Sequence, residues 1–280
     1  MIDVAIATCA EFPQLPESEQ LLQRALEQKG LSVRAVLWDD PSFEWSEVRL
    51  CLIRSVWDYH LRLDEFLGWV DRLPASVRVF NPPEVIRWNS HKGYLRDLET
   101  RGIPIVPTAY FSPGDAPDIR SVAAEKGWTS VVVKPVVSAN GHRTAVFDDL
   151  DIAEKHLEEL LRDGGAMVQR FMDEVHGSGE RCICVIDGRI SHALQKTTVF
   201  DPEWTDTPPR VDVSEEESEL AFAALEASGF SYLYARVDMI RDEDGSPRLM
   251  ELEMIEPDFY FDRAPEAADT FADRIIELLG

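Results

Sequence analysis

Apolar and polar positions along the chain fall into short runs whose period changes. Residues 2–7 are aliphatic and small, Leu21, Leu22, Ala25 and Leu26 recur at helical spacing until Gly30, and residues 33–38 are again strand-like. Residues 50–53 predict a third strand, 63–73 a helix, and 77–80 a fourth strand that stops at Asn81-Pro82-Pro83. Strands alternating with helices imply a parallel sheet with helical crossovers. The turn after the first strand, Thr8-Cys9-Ala10-Glu11-Phe12-Pro13, holds no glycine, which disfavours dinucleotide binding despite the Rossmann-like order.

Beyond the double proline the pattern changes, which sets a domain boundary near residue 85. A helix is expected over residues 91–100, then Gly102-Ile-Pro-Ile-Val-Pro107, then strands punctuated by Gly and Asn. Asp187-Gly188 and Asp244-Gly245 each sit between apolar runs and predict hairpins, so the second half is α+β and partly antiparallel within an α/β chain.

Composition narrows the function classes. The 280 residues are 45% hydrophobic, enough for one large core or several small ones. Twenty-eight basic against 52 acidic residues give a net charge of −24, a surface that repels phosphate backbones and disfavours nucleic acid as a partner. No run approaches the roughly 20 apolar residues of a membrane span, and no basic-then-apolar leader opens the chain, so a cytoplasmic location is expected. Cys9, Cys51, Cys182 and Cys184 read as buried thiols rather than a zinc cluster, and the six histidines show no metal spacing.

The chemistry concentrates in one predicted hairpin. In Tyr234-Ala-Arg-Val-Asp-Met-Ile240 alternation puts Tyr234, Arg236 and Asp238 on one face. A two-residue turn at Asp244-Gly245 would set Asp238 opposite Glu251 and Arg236 opposite Glu253, with Leu249, Glu251 and Glu253 on that same polar face. Facing like charges destabilise a sheet, so a cation is expected between them. Oxygen-only ligands with open positions suit magnesium, and magnesium implies a phosphate-bearing ligand. An acidic solvent-exposed hairpin is the bland alternative. Upstream, Val131-Val-Val-Lys134-Pro135 buries a lysine that needs an anion, and Ser138-Ala-Asn-Gly141 is a small-residue turn whose amides could approach phosphate. The G-x-x-x-x-G-K-S/T loop is absent.

These residues resemble the ATP-grasp superfamily, which includes glutathione synthetase and D-alanine:D-alanine ligase, over most of residues 85–260. Arg236-x-Asp238 followed by Glu251-x-Glu253 stands at the family's spacing. Ala7-Thr-Cys-Ala-Glu-Phe, Ile53-Arg-Ser-Val-Trp57 and Met250-Glu-Leu-Glu-Met-Ile-Glu-Pro257 further resemble a bacterial subgroup similar to the O-ureidoserine cyclo-ligase of D-cycloserine biosynthesis. Glu256-Pro257-Asp258-Phe-Tyr260 departs from that subgroup at a substrate wall, and the substrate stays open.

The resemblance implies an N-terminal Rossmann-like domain at 1–85, a central lid at 86–168 and a C-terminal subdomain at 169–280, the last two gripping ATP. It implies Mg2+ on Asp238, Glu251 and Glu253, and phosphate or adenine contacts from Lys92 and Lys134. Ser138 to Gly141 would form a lid. Gln169, Arg170, Phe171 and Met172 would form the adenine hinge. Glu174 or Glu180, with Glu180 preferred, would hold the ribose, and Arg236 and Lys196 would act at the reacting centre. Arg54, Trp57 and Asp58 are expected to meet the substrate. The implied reaction activates a small-molecule carboxylate as an acyl phosphate for an amine-type nucleophile; a small-molecule kinase or a nucleotide-binding protein without turnover are the alternatives.

Overall fold

In the computed structural model, which describes residues 1–197 and 207–280, the aliphatic run β1 (Ile2–Thr8) is an inner strand, its last five residues fully buried. It pairs in parallel with β2 (Val33–Leu37) and β3 (Val48–Ser55), and β4 (Arg78–Phe80) extends the sheet in the order β2-β1-β3-β4. Parallel strands need crossovers, supplied here by α1 (Glu17–Gln28) and α2 (Leu63–Arg72). Strand order reverses between β1 and β3, the place where open parallel sheets leave a crevice at their carboxyl ends.

Past Asn81-Pro82 the chain turns helical sooner than expected. Pro83 opens α3 (Pro83–Asn89) at a first-turn position where its missing N–H costs nothing. A break at residues 90–93 separates it from α4 (Tyr94–Thr100), so the single helix expected over 91–100 is the shorter second member of a pair. A second, antiparallel sheet follows from β5 (Thr108–Phe111), β6 (Val131–Pro135), β7 (Ala145–Phe147) and β8 (Ala166–Arg170), in the order β5-β8-β6-β7. Helices α5 (Ile119–Lys126) and α6 (Leu150–Asp163) cover it through Ile119, Leu157 and Leu160 packed on Val131, Val133 and Val168.

The third sheet runs β11-β10-β9-β12-β13, from β9 (Glu180–Ile186), β10 (Arg189–Lys196), β11 (Arg210–Val211), β12 (Tyr234–Arg241) and β13 (Pro247–Glu253). Helix α7 (Glu215–Ser228), opened by a Ser214/Glu217 capping box, packs on it. The last helix, α8 (Pro265–Leu279), lies instead against α1 and the first sheet through Phe271, Ala272 and Ile275. Thus a cut at 168 falls inside β8, and the end of 169–280 packs with the N-terminal sheet. Tyr94, Leu95 and Leu98, expected in the lid, belong to the core of the third sheet.

Asp187 and Gly188, at φ of 49° and 70°, form the expected two-residue turn between β9 and β10. The other hairpin differs. Gly245 donates to Asp242 O and Asp242 to Ser246 O, each at 2.8 Å, which closes a three-residue loop and shifts the register by one. A bulge at Met250 shifts it back, so Asp238 does face Glu251 and Arg236 faces Glu253. The bulge also flips Leu249 off the polar face into the apolar core with Val237 and Met239.

Arg54, expected to meet the substrate, does not line the cavity where the three sheets converge. It is fully buried, donates to Glu19 from Nη2 at 2.6 Å and Nε at 3.1 Å and to Pro257 O at 2.8 Å, and stacks 4.9 Å from the Tyr234 and Phe259 rings. A guanidinium at the end of an inner strand is walled in by the C-terminal segment, which the sequence pattern of β3 alone does not reveal. Removing one partner of such a pair strands a buried charge. Arg54→Leu should therefore cost about 3–5 kcal/mol in urea denaturation, and Glu19→Leu combined with Arg54→Leu should recover most of that loss.

Candidate active site

A cavity of about 690 Å³ lies where the three sheets converge, within the range of small-molecule sites. The first sheet contributes Glu11 and Phe12 after β1 and Trp57 and Tyr59 after β3. The second contributes Lys134 and the loop that follows it, and the third the polar face of β12 and β13.

On that face Arg236 grips Asp238 with two bonds, Nε to Oδ1 at 2.9 Å and Nη2 to Oδ2 at 2.8 Å, and reaches Glu253 at 2.5 Å. Glu251 is clasped from the other side: Lys92 Nζ donates to Oε2 at 2.6 Å and Lys134 Nζ to Oε1 at 2.8 Å. Lys92 comes from the α3–α4 connection and Lys134 from β6, so one carboxylate joins three parts of the chain. The buried lysine thus has the anion its position demands. The edge of β13 is held by Asn89, which bonds Leu252 O and Met254 N, each at 2.7 Å, and by Tyr94, whose hydroxyl accepts from Leu252 N at 3.0 Å.

Charge balance sets the titration of this cluster. Burial pushes the Glu251 carboxyl up, but Lys134 and Lys92 outweigh it and hold the group well below the usual carboxylate range. Burial pushes Glu253 up to about 8, with Asp238, Glu256 and Glu251 adding to it against the pull of Arg236. Burial likewise lifts Glu256 to about 7 despite Lys92 and Arg236. An oxygen-rich cluster with more acid than its cations can neutralise has the donor chemistry of a hard divalent-ion site, but among the described residues Asp238, Glu251 and Glu253 do not form a group of three ligand atoms within 4.8 Å of one another. Glu180 and Cys182 do lie with Asp238, their ligand atoms within 4.8 Å of one another, but a thiol raised by burial is a poor partner for such an ion.

At the other end of the cavity, Gln169, Arg170, Phe171 and Met172 form a continuous strip from β8 onward. Gln169 donates to Thr108 Oγ1 at 3.0 Å, and Arg170 pairs with Asp242. Glu180 lines the cavity and pairs with Lys196 at 2.8 Å, whereas Val175, not Glu174, represents the helical turn Asp173–His176 there. Ser138 and Gly141 lie on the loop after β6. Asn140 and Gly141 adopt positive φ, Ala139 packs into the N-terminal core, and the His142 ring lies 5.0 Å from that of His60 at a tilt of 53°.

Trp57 lines the cavity, edge-on to Phe12 at 5.0 Å and donating to Glu256 O at 3.1 Å. Asp58 does not reach it: Trp38 Nε1 at 2.8 Å and Arg62 at 2.7 Å occupy its oxygens. Glu11, Phe12 and Tyr59 line the cavity although the sequence pattern assigned them no role there, and Tyr260 lines it on the segment expected at a substrate wall. The crevice rule for parallel sheets marks the first three, since they follow the carboxyl ends of β1 and β3. No periodic signal marks Tyr260.

Residues 4–81 match the family model of the N-terminal domain of the D-cycloserine synthetase DcsG. The chain is 30% identical to the cycloserine biosynthesis protein DcsG of Streptomyces lavendulae, with 92% of each covered. It is similar to the crystal structure of D-cycloserine synthetase DcsG, with a TM-score of 0.90, 29% identity and 99% of each chain covered. The ATP-grasp ligase PsnB, complexed with a phosphomimetic variant of its minimal precursor, Mg and ADP, shares the fold at a TM-score of 0.71 and 16% identity, with 100% of each chain covered. Fold and site together define an enzyme of the ATP-grasp ligase class. Within it, the chain belongs to the family of the cycloserine biosynthesis protein DcsG. Among the described residues no helix is long and apolar enough to cross a membrane.

The raised Glu253 carboxyl has a thermodynamic consequence. Between the ordinary glutamate value of about 4.3 and its folded value of about 8, this group holds more proton in the native state than in the unfolded chain. Its contribution to stability therefore falls as pH rises through that window. Burial lowers His60, His91 and His192, which act in the opposite sense, so the comparison is with Glu253→Gln, which shares them. Wild type should lose melting temperature relative to that variant as pH rises from about 5.5 to about 8. If Glu253 belongs to the expected metal set, magnesium should stabilise the wild type more at the higher pH; an equal effect on both proteins would remove Glu253 from that set.

Proposed function

We propose that this chain uses ATP to activate a small-molecule carboxylate as an acyl phosphate, which an amine or similar nucleophile captures. The observation that carries this reading is the clasp of Glu251 by Lys92 and Lys134 at the floor of the cavity. Two buried ammonium groups are held there by a single carboxylate, where a polyphosphate would meet both.

The adenine edge would lie along Gln169 to Met172, with the ribose at Glu180 and the phosphates under the loop from Ser138 to Gly141. Mg2+ held by Asp238, Glu251 and Glu253 would supply charge neutralisation at the phosphates. A carboxylate oxygen of the substrate forms a bond to the γ-phosphorus of ATP while the bond from that phosphorus to the β,γ-bridging oxygen breaks, and ADP leaves. The nucleophile then forms a bond to the acyl carbon, gives up a proton, and phosphate departs. Lys92, Lys134 and Arg236 offset charge on the transferring group, and Lys196 stands by as a further cation. Arg236, fixed by its two bonds to Asp238, faces the oxyanion that builds up in the second step.

Acyl phosphates hydrolyse, so water must be excluded. The contacts of Ala139 and His142 with the N-terminal domain support the loop as the lid that does so. Trp57 and Phe12 would then wall the carboxylate end.

ADP release should be screened in magnesium with amino acids, dipeptides and O-substituted serines. Substrate-dependent release is expected from the wild type, near-complete loss from Glu251→Gln, and a fall of roughly 100-fold or more in kcat from Lys134→Met. A phosphorylated hydroxyl product with no ligated or cyclised species would replace this reading with a kinase.

A further inference from the structure

One wall of the cavity is built at visible conformational cost. In Pro257-Asp258-Phe259-Tyr260-Phe261 the two phenylalanines are fully buried in the core around Tyr234 and Phe271. Tyr260, between them, turns the other way and lines the cavity. Its φ is 48°, in the left-handed region that a bulky residue avoids and a glycine takes freely.

The surroundings hold it in place. Asp258 Oδ1 accepts from Tyr260 N at 2.7 Å and from Ser18 Oγ at 3.3 Å, and Ser18 Oγ accepts from Phe261 N at 2.9 Å. His192 Nε2 donates to Phe259 O at 2.7 Å, Arg236 Nη1 to Asp258 O at 3.1 Å, and Arg54 to Pro257 O at 2.8 Å. Six hydrogen bonds therefore fix a turn that glycine would make without strain. A costly conformation kept by its environment, with the side chain aimed into a site, points to a role in that site. Arg236 and Lys196 line the same cavity and Arg236 bonds the carbonyl two residues before Tyr260, so the ring stands toward the reacting end of the cavity rather than at the hinge strip.

We propose that Tyr260 is a specificity-determining residue whose ring closes the carboxylate end of the cavity beside Arg236 and Lys196 and limits the size of acid that reaches the transferring phosphate. This rests on the acyl-phosphate reading above.

The test uses the full-length protein and a homologous series of carboxylic acids of increasing chain length, read by ADP release. With Tyr260→Gly, kcat/KM for acids two or more carbons longer than the best wild-type substrate should rise by roughly tenfold or more relative to that substrate. KM for ATP should stay within about twofold, because the hinge strip is untouched. Tyr260→Phe should keep the wild-type length profile, since the ring and not the hydroxyl sets the limit. Glycine relieves the left-handed turn, so the melting temperature of Tyr260→Gly should hold or rise. An unchanged length profile in a folded Tyr260→Gly protein overturns the inference, as does a collapse of melting temperature and ATP affinity together, which marks a structural residue. If no acid supports ADP release even in the wild type, the acyl-phosphate reading fails first.

Discussion

Carboxylates that face one another across an antiparallel strand pair repel, and the cavity of this protein is organised around containing that repulsion. Asp238, Glu251 and Glu253 project from β12 and β13 into a space from which much of the water is excluded. Cations from three places meet them: Arg236 on β12 pairs with Asp238 and Glu253, while Lys92 from between two helices and Lys134 from the second sheet both clasp Glu251. Because the attraction is strong only where dielectric is low, these pairs also dock the second sheet and the α3–α4 connection onto the third sheet at the site. The same poise serves the proposed chemistry, since cations already gathered and desolvated need no reorganisation when phosphate arrives.

The second organising pair, Arg54 with Glu19, works behind the wall rather than in it. It ties the end of β3 to α1 and to the segment at Pro257. Asn81 adds to this junction, bonding Tyr234 O, Met254 O and Leu233 N. The N-terminal sheet is thereby fixed against the strands that carry the acids, so residues after β1 and β3 share a cavity with residues distant in sequence. An arginine expected to meet the substrate is instead sealed in the core, and it touches the site only through the segment bearing Tyr260.

The hairpin shows how a pairing can be legible for incomplete reasons. The Asp-Gly signal points to a two-residue turn, and the chain makes a three-residue loop instead. The bulge at Met250 restores the pairing of Asp238 with Glu251, and only the position of Leu249 betrays the difference. Turn type depends on backbone dihedrals that several residue pairs can adopt, whereas the alternation of charge along β12 is written in the residues themselves.

Local order determined much of this protein: the alternation of apolar runs dictates the parallel sheet, Asp187-Gly188 dictates its turn, and the spacing of Arg236, Asp238, Glu251 and Glu253 marks the acidic face. Those features depend on neighbours a few residues apart or on one hairpin. Tertiary structure alone decided that Arg54 is sealed while Trp57 reaches the cavity, that α8 returns to the first sheet, and that Glu180 and not Glu174 joins the site. It also decided that a tyrosine stands where glycine would relax. Burial, pairing of charges and the direction of a side chain are set by chain segments that meet only on folding, and no local pattern carries that information.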